Sequence, residues 1–400
     1  MSEIVELSVE ALGAQGDGIA RWHGETVFVP FAAPGDRVRA RLGARRGQGR
    51  EARVVERLAL GQGRAEPVCR HFGRCGGCAL QHLGGEAYRA LKLAALHGAL
   101  RRIGIDPAVV APLREVPPGR RRARLGLRPP ALAGFRERFS HALVDLDECA
   151  VLDPALFALV APLRELARFG PAEVTLTHTD SGVDMLIEAA ARPSLAALEA
   201  LAAFAERHDV ARIVWDDMTV VERRPVRVQL SSVAVPFPPG AFLQASAAAE
   251  AALVAEVTAA IGGARPVLDL YAGLGTFAFA LGGGVHSVEG NAAAAAAMAA
   301  AAAPGITVER RDLERDPLPV EALARYAAAV FDPPRAGARR QAERLAASAI
   351  PTIVAVSCNP ATFARDAARL IAGGYRLERV APVDQFVWTP HLELVAVFRR

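Results

Sequence analysis

From residue 241 onward the sequence alternates short apolar runs with helical segments, and this order restricts the fold more than any other feature. Strands and helices in regular alternation are typical of a parallel sheet covered by helices on both faces. We therefore predict an α/β fold whose doubly wound sheet has strands at residues 267–271, 286–289, 328–332, 352–357 and 394–399. Ligands of such sheets bind beyond the C-terminal ends of the strands, so a functional site is expected there.

The first predicted strand runs into a glycine turn and then into a helix. Glycine has no Cβ, so Gly273 and Gly275 would let the backbone approach a ligand closely. Glu289 ends the next strand, where an acidic side chain binds the ribose of a nucleotide cofactor. The turn lacks the third glycine of a dinucleotide pattern, which favours S-adenosylmethionine over NAD; a turn that only tightens packing is the alternative. The candidate cofactor residues in this region are Tyr271, Gly273, Gly275, Thr276, Glu289 and Asp312.

Two later strands end in residues that suit catalysis. Asp332 is followed by two prolines, which stiffen the backbone and hold its carboxylate in one place. Cys358 precedes Asn359, a favourable helix N-cap, and Pro360, a favourable first helical residue. A helix N-terminus stabilises a thiolate, so Cys358 is a candidate nucleophile; a buried, inert cysteine is the alternative.

The segment before the last strand adds candidate bases. His391 and Glu393 stand at alternate positions there, so we expect both side chains to face the same cleft. Either of them could act as a base. A proton acceptor would then lie beside the strand ends that carry Asp332 and Cys358.

The rest of the chain divides at two breaks in the pattern. Residues 1–58 contain short strands separated by glycine and proline turns, which predicts a small β-barrel. Residues 59–240 follow a Gly-Gln-Gly break and mix a helix at 88–102 with strands, of which 174–178 and 183–189 are expected to pair. The proline-rich connector at 236–240 marks the start of a third domain at 241–400.

Arginine carries almost all of the positive charge. Lys92 is the only lysine, the formal charge is +4, and the isoelectric point is about 9.0. Two arginine clusters suit contacts with nucleic-acid phosphates, although each could equally form a solvated face. They are Arg37, Arg39, Arg41, Arg45, Arg46, Arg50 and Arg53 in the first stretch, and Arg120, Arg121, Arg122, Arg124 and Arg128 in the second.

The sequence also argues against several classes of protein. No uncharged apolar run reaches the roughly 18 residues of a membrane helix, and the start Met1-Ser2-Glu3-Ile4 does not resemble a secretory signal. Five cysteines without such a signal argue against a disulfide framework. We therefore expect a cytoplasmic protein that does not bind membranes.

The motifs at the strand ends together resemble the RNA uracil-5 methyltransferases. The family pattern Ser-Cys-Asn-Pro-x-Thr-x-x-Arg-Asp is matched by residues 357–366, and Asp-Pro-Pro-Arg-x-Gly by 332–337. Phe-x-x-Thr-x-His-x-Glu is matched by 386–393, and the Phe-x-Gln that opens the catalytic domain by 242–244. The resemblance implies a class I, Rossmann-like methyltransferase that uses S-adenosylmethionine to methylate C5 of a uridine in RNA.

The same resemblance implies roles for individual residues. Cys358 would add to C6 of uracil, and Glu393 would remove the proton from C5. Gln244 would hold the cofactor, while Asp332 would orient the uracil or bridge uracil and cofactor. The chain departs from frequent family residues at Ser246, Thr276 and Val387.

The other cysteines have a spacing that resembles family members acting on large-subunit ribosomal RNA. Cys69, Cys75 and Cys78 lie in one segment and Cys149 far downstream, which looks like the [4Fe–4S] cysteine set of those members. Zinc bound by four cysteines is the alternative, and the spacing differs from that of radical S-adenosylmethionine enzymes. Residues 1–58 resemble the TRAM domain, an RNA-binding barrel.

Taken together, the resemblance predicts a monomeric enzyme that methylates 23S rRNA. The same reaction on tRNA is an alternative, although typical tRNA members lack the barrel and the cysteine set. A non-catalytic RNA-binding iron–sulfur protein is a second alternative, against which the intact Cys358 and Glu393 argue.

Overall fold

The N-terminal part of the chain folds into a curled sheet. The computed structural model describes residues 3–400, apart from the side chain of Arg46; Met1 and Ser2, which begin the predicted barrel, lie outside the described residues. The sheet has the strand order β1-β5-β6-β4-β3-β2. Its strands are β1 (Ile4–Ser8), β2 (Ala11–Leu12), β3 (Gly18–Trp22), β4 (Glu25–Val29), β5 (Arg37–Arg46) and β6 (Gly49–Ala59).

Alternation of apolar and polar residues makes this sheet curl around a core. In β1, Val5 and Leu7 are buried while their neighbours are exposed, as the two-residue period of a strand requires. They pack with Ala20, Val27 and Val38 from the neighbouring strands. Contact between β1 and β3 brings the two sides of the sheet together, in keeping with the predicted barrel.

The central part begins with a long helix and continues into a second sheet, whose order is β10-β9-β8-β11-β12-β13-β14. The predicted hairpin is confirmed, since β11 and β12 pair antiparallel with Val174 opposite Ile187. The helices are α1 (Gly85–Arg102), α2 (Pro154–Phe157), α3 (Val160–Leu163) and α4 (Leu195–Arg207). The strands are β7 (Arg114–Glu115), β8 (Arg122–Arg128), β9 (Leu132–Arg136), β10 (Leu143–Asp145), β11 (Ala172–Thr179), β12 (Gly182–Ala189), β13 (Val210–Trp215), β14 (Met218–Glu222), β15 (Arg227–Leu230) and β16 (Val233–Pro236).

The C-terminal part forms the predicted α/β sheet, with the order β19-β18-β17-β20-β21-β23-β22-β7. Its strands run parallel except β23, which lies antiparallel between β21 and β22. The helices are α5 (Ala247–Ile261), α6 (Thr276–Leu281), α7 (Ala292–Ala301), α8 (Val320–Leu323), α9 (Arg339–Ala346) and α10 (Pro360–Ala372). The strands are β17 (Val267–Leu270), β18 (Val285–Glu289), β19 (Ile306–Arg310), β20 (Ala328–Phe331), β21 (Thr352–Ser357), β22 (Arg376–Asp384) and β23 (Glu393–Arg399).

Helices cover both faces of this sheet, which makes it doubly wound. Helices α5, α6 and α7 pack on one face through residues such as Leu253, Phe277 and Met298. Helices α8, α9 and α10 pack on the other face, where Leu96 and Leu100 of α1 join them. The short strand β7 also adds to the edge of this sheet. Residues 85–115 thus contact the C-terminal sheet closely, and the proposed division at residues 58 and 240 stays a prediction.

Within residues 3–400, no helix combines the length and the apolar character that a membrane crossing requires.

Candidate active site

A cavity of about 1000 Å³ lies at the C-terminal ends of the parallel strands. It collects nearly all the residues that the sequence pointed to in this region. The fold brings together side chains that are far apart in the chain: Gln244 and Glu393, which are 149 positions apart, both line the cavity. The predicted residues that line it are Gln244, Tyr271, Gly273, Thr276, Glu289, Asp312, Asp332, Cys358 and Glu393.

Glu289 fixes the glycine turn to the start of the next helix. One carboxylate oxygen accepts the backbone N–H of Gly273 at 2.8 Å, and the other accepts that of Asn291 at 2.6 Å. Gly273 has a φ of +58°, and a Cβ there would meet no atom within 4 Å. The turn therefore leaves open space at the cavity wall, into which a ligand can fit.

Gly275 is the one predicted cofactor residue of this turn that does not line the cavity. Its φ is +97°, and a Cβ would collide with the ring of Phe279 and the methyl group of Met298. Packing of helix α6 therefore requires glycine at this position, and a contact of Gly275 with a cofactor stays a prediction.

The carboxyl group of Asp269, in β17, is buried without a hydrogen-bond partner within residues 3–400. It is 1% exposed, and neither carboxylate oxygen has a hydrogen-bond partner among the described residues. Burial, followed by the negative charge of Asp332, raises the pKa of Asp269 to about 8; the nearby N–H of Ala278 acts in the opposite direction without reaching hydrogen-bond geometry. A buried, unpaired carboxyl group beside an open glycine turn fits a ligand with a positive charge, such as S-adenosylmethionine.

Tyr271, directly after β17, adopts a left-handed backbone conformation with a φ of 59°. Such a conformation is costly for a residue other than glycine and is found mainly where function requires it. Its hydroxyl group donates a hydrogen bond to Glu314 at 3.0 Å. Glu314 lines the cavity as well, although no sequence motif points to it.

Cys358 follows β21 directly, and the predicted helix start is confirmed. The side chain of Asn359 caps α10 by accepting the N–H of Ala361 at 3.0 Å, and Pro360 is the first helical residue. Burial, followed by the charges of Glu393 and Asp332, raises the pKa of Cys358 to about 11 in the free protein, and the thiolate expected from the helix terminus stays a prediction. The thiol therefore needs a proton acceptor before it can act as a nucleophile.

The motif around Cys358 holds the loop that follows Asp332. Asn359 and Thr362 both donate side-chain hydrogen bonds to the carbonyl oxygen of Arg335, each at 3.2 Å. The carboxylate of Asp366 accepts the N–H of Ala338 at 2.8 Å. Through these bonds the motif at residues 357–366 positions the motif at residues 332–337, which explains why the two occur together.

His391 and Glu393 do not face the same cleft, contrary to the expectation from their alternate positions. Glu393 is the first residue of β23 and lines the strand-end cavity, whereas His391 lies in the preceding loop and lines a separate cavity near the cysteines. Strand alternation does not apply to His391, because the backbone of that loop is not extended; Trp388 has a φ of 56°. Of the two candidates, only Glu393 is placed to act as a base beside Cys358.

The carboxyl groups in the cavity are connected by two glutamines. Gln244 donates to Asp332 at 3.1 Å, and Gln385 donates both to Gln244 at 3.1 Å and to Glu393. Burial, followed by the charge of Asp332, raises the pKa of Glu393 well above its ordinary value. Burial also raises the pKa of Asp332 to about 7. Gln385 was not predicted from the sequence.

Lys92, the only lysine, fixes the loop that precedes Glu393. Its ammonium group, fully buried on α1, donates to Asp384 at 2.5 Å and to the carbonyl oxygens of Phe386 and His391 at 2.9 and 2.6 Å. Tyr88, one turn earlier, donates to the second oxygen of Asp384 at 2.5 Å. The three N–H donors of an ammonium group match these three acceptors, which arginine's planar fork would not do.

Replacing Lys92 with methionine is expected to lower the free energy of unfolding by about 3–5 kcal/mol, because Asp384 would be left as a buried charge without its counterion. Urea denaturation followed by circular dichroism measures this. The matched control is Arg89→Met on the same helix, which breaks an exposed pair with Glu115 and should cost under about 1 kcal/mol. Equal costs for the two variants would contradict the structural role given to Lys92.

Three arginines form a ridge between the strand-end cavity and the cysteine cavity. Arg120, Arg122 and Arg124 line both, at alternate positions in and before β8. Arg121, which alternates with them, does not line either cavity. It donates a hydrogen bond to the carbonyl oxygen of Gln244 at 3.0 Å and pairs with Glu250, and so holds the start of the C-terminal part. Three of the five arginines in the second cluster therefore line the site.

The first arginine cluster lies on β5 and β6, and several of its members pair with acidic residues of the same sheet. Arg39 pairs with Glu56, and Arg45 and Arg50 both pair with Glu25. These pairs are what a solvated face would show. The side chain of Arg46 lies outside the described residues.

The four predicted metal ligands share one cavity of about 390 Å³. All of them are free thiols, and burial raises the pKa of the thiol groups of Cys69, Cys75 and Cys78. Within the described part of the chain, no three potential ligands converge closely enough to hold a metal ion. Just after Cys78, the N–H groups of Ala79 and Leu80 donate to the carbonyl oxygen of Trp388 at 2.8 and 3.0 Å. The cysteine segment thus contacts the loop that precedes Glu393.

Comparison with known proteins identifies relatives along the whole chain. Residues 318–400 match the family model described as tRNA (Uracil-5-)-methyltransferase, and residues 2–54 match the TRAM domain. The chain is 40% identical over 414 residues to an uncharacterized RNA methyltransferase of Brucella suis biovar 1, covering 100% of this chain and 99% of that protein. It is 37% identical over 425 residues to the 23S rRNA (uracil(1939)-C(5))-methyltransferase RlmD of Chromohalobacter salexigens, covering 98% and 89%.

The fold also matches a solved structure over nearly its full length. The crystal structure of Pyrococcus abyssi tRNA (uracil-54, C5)-methyltransferase in complex with S-adenosyl-L-homocysteine has a TM-score of 0.74 to this chain. The match covers 98% of this chain and 99% of that one at 24% sequence identity. At this identity the match shows a shared fold.

Proposed function

The chain belongs to the S-adenosylmethionine-dependent RNA uracil-5-methyltransferase family, and on this premise we propose that it methylates C5 of a specific uridine in 23S rRNA. One observation carries the reaction: a single cavity contains Cys358, Glu393 and Asp332 together with the glycine turn of β17. A nucleophile, two carboxyl groups and a cofactor site are the groups that this methylation requires.

The nucleophile is needed because C5 of uracil is itself poorly nucleophilic. Addition of the Cys358 sulfur to C6 gives an enolate with carbanion character at C5, which splits one difficult step into easier ones. S-adenosylmethionine, when bound, supplies the electrophilic methyl group that C5 takes up. Glu393 then removes the C5 proton, and the sulfur leaves C6 as the C5–C6 double bond forms again.

The Cys358 thiol is neutral in the free protein, so it must transfer its proton to a group in the cavity before or as it reacts. The pKa of Cys358 is about 11 in the free protein, so only a small fraction is thiolate at neutral pH. Asp332 lines the same cavity with a pKa raised to about 7, so its carboxyl group can gain or lose a proton near neutrality. We infer that the thiol proton passes to the carboxylate of Asp332 as sulfur adds to C6, which leaves Glu393 free to accept the C5 proton later.

The residues around β17 fit the cofactor. Asp269 offers a buried carboxyl group without a partner, and Gly273 leaves space at the wall. Tyr271, Glu289 and Asp312 line the same end of the cavity, where we place the adenosine part. We assign Gln244, Thr276 and Asp332 to the reactive end. Thr276 lines the cavity, so its departure from the family residue alters a cofactor contact without removing the space for it.

Mapping 5-methyluridine in 23S rRNA and tRNA of a strain that lacks the gene tests the function and the substrate together. We expect one modified uridine to disappear from 23S rRNA and to return with the wild-type gene but not with the Cys358→Ala variant. Loss of 5-methyluridine from tRNA alone would show that tRNA, and not 23S rRNA, is the substrate. No loss from either RNA would contradict the proposed reaction.

We also propose that Cys69, Cys75, Cys78 and Cys149 hold a [4Fe–4S] cluster. A cluster binds each thiolate through a different iron, so its ligands surround a volume and do not meet at one point. Zinc would instead require four sulfurs at about 2.3 Å from one ion. The cavity that the four cysteines share supports the proposal. The cluster would tie residues 69–78 to Cys149, and with them the loop at Trp388.

Anaerobically purified wild-type protein is expected to contain about four iron and four sulfide ions per chain and to absorb broadly in the visible range. The Cys75→Ser variant should lose most of the iron and the colour. Cys358→Ser is the matched control, because it changes a half-buried cysteine outside this cavity and should keep both. A colourless protein with one zinc ion per chain would overturn the cluster.

RNA is the partner that the arginine ridge suits. Arg120, just before β8, and Arg122 and Arg124 within it stand two residues apart between the two cavities, where phosphates of a strand entering the site would pass. Arginine binds phosphate oxygens through a planar pair of donors. We propose that these residues hold the RNA next to the target uridine, and that the target base is presented unstacked.

A further inference from the structure

Gln385 occupies a position in the cavity where every polar atom of its amide is engaged. Its oxygen accepts the backbone N–H of Ala245 at 3.1 Å. Its nitrogen donates one hydrogen to the side-chain oxygen of Gln244 at 3.1 Å and the other to the carboxylate of Glu393. The backbone N–H of Ala245 therefore determines which way the amide points, because an N–H group can only donate.

This orientation passes on to the second glutamine. The oxygen of Gln244 is occupied by Gln385, so the nitrogen of Gln244 faces Asp332 and donates to it at 3.1 Å. Each of the two carboxyl groups thus receives an N–H donor from a glutamine whose direction is fixed. Such donors favour the ionised form of a carboxyl group.

The backbone at Gln385 is held firmly. Asp384, the preceding residue, ends β22 and is bound by Lys92 and Tyr88 of α1. Gln385 follows directly, and its backbone N–H donates to the carbonyl oxygen of Val383 at 3.1 Å, so the anchored end of β22 fixes the backbone from which Gln385 lines the cavity. Gln385 is 5% exposed and Glu393 is 3% exposed, so little water competes for the bond between them.

We propose that Gln385 is a positioning residue, which holds the carboxylate of Glu393 toward the C5 proton. Through Gln244 it also fixes the donor to Asp332, so that each carboxyl group keeps its own partner and its own role. The proposal rests on the proposed function, because it assigns Glu393 to proton removal. Without the donor from Gln385, the carboxyl of Glu393 would be free to rotate and would keep its proton more readily.

Other ionisable groups that face Glu393 limit how a pH profile is interpreted. Asp332 at the end of β20 and Cys358 at the end of β21 both interact electrostatically with it. Arg335 acts on Cys358 from the loop after β20. Asp384 on β22 is already paired with Lys92. A change at Gln385 acts directly on Glu393 and reaches Asp332 through Gln244, so a shift of the acidic limb reports on these two carboxyl groups.

The test is the variant Gln385→Met, which keeps side-chain length but cannot donate. We expect kcat to fall about 10- to 100-fold, with the KM for RNA changed little, because a hydrogen bond to a charged group is lost. The covalent protein–RNA adduct should form but break down slowly. Loss of the donor raises the pKa of Glu393, so the acidic limb of the breakdown rate should move to higher pH, with partial recovery in alkaline buffer.

Two further variants separate this role from general loss of packing. Gln385→Asn keeps the amide but withdraws it by one methylene group, so slow breakdown of the adduct is expected again. Gln341→Met is the matched control: Gln341 is also a fully buried glutamine, on α9, and does not line the cavity. Its activity and pH profile should match the wild type.

The outcomes distinguish the two proposals. If wild-type protein forms no 5-methyluridine in any RNA, the proposed function fails. If wild-type protein is active and Gln385→Met is folded by circular dichroism, yet breaks down the adduct at the wild-type rate with an unchanged pH profile, Gln385 does not position the base. If Gln385→Met does not fold, the same readouts on Gln385→Asn decide.

Discussion

Replacement of Cys358 by alanine is expected to reduce methyl transfer to uracil by about 10⁴-fold or more, since no covalent route to a nucleophilic C5 would remain. Cys358 is the cysteine that the structure separates from the other four: it lines the strand-end cavity, and they line another. The Asn359 cap and Pro360 start helix α10 directly behind it. Alanine keeps that backbone, so the loss should be chemical and not structural.

Single-turnover transfer of a labelled methyl group from S-adenosylmethionine to substrate RNA measures this effect. Binding of RNA and of S-adenosyl-L-homocysteine to the Cys358→Ala variant is the control, and both affinities should stay near wild type. Methylation of C5 at an undiminished rate would rule out Cys358 as the nucleophile. Loss of RNA binding together with activity would instead show that the residue mainly holds the site in shape.

The sequence located the site well because its residues follow strands that are easy to recognise. Buried apolar runs predicted the parallel strands within a residue or two, and polar residues such as Asp332 and Cys358 stand directly after them. In a doubly wound sheet those positions must meet at one edge. The place of these residues at one edge of the sheet is therefore readable from local pattern and order, whereas the roles assigned to them come from the family resemblance and stay predictions.

Other parts of the site depend on contacts that no local pattern carries. Gln385 acquires its partners because the segment at Gln244 crosses the end of β22, 141 positions away in sequence. His391 was misplaced because the loop before β23 is anchored by Lys92 and does not continue the strand. The missing Cβ of Gly275 makes room for Phe279, a packing contact that no local pattern shows. Each of these is determined by tertiary packing.

The variant Glu393→Gln is expected to stop the reaction after methyl transfer, with turnover reduced by about 10²- to 10⁴-fold and a covalent protein–RNA adduct accumulating. Glutamine has nearly the same shape as glutamate but cannot accept the C5 proton, and without proton loss the sulfur cannot leave C6. The adduct should appear as a slowly migrating band on denaturing gels and should contain the transferred methyl group.

Two comparisons make this result decisive. The double variant Cys358→Ala/Glu393→Gln should give no adduct, because the sulfur that forms it is absent. Asp332→Asn tests the competing base, since Asp332 also lines the cavity with a raised pKa and receives a donor from Gln244. If Asp332→Asn accumulates the methylated adduct while Glu393→Gln turns over normally, the base is Asp332. If Glu393→Gln alone traps the adduct, Glu393 takes the C5 proton and Asp332 orients the uracil. The two glutamines, Gln244 and Gln385, then stand between two carboxyl groups that have different roles.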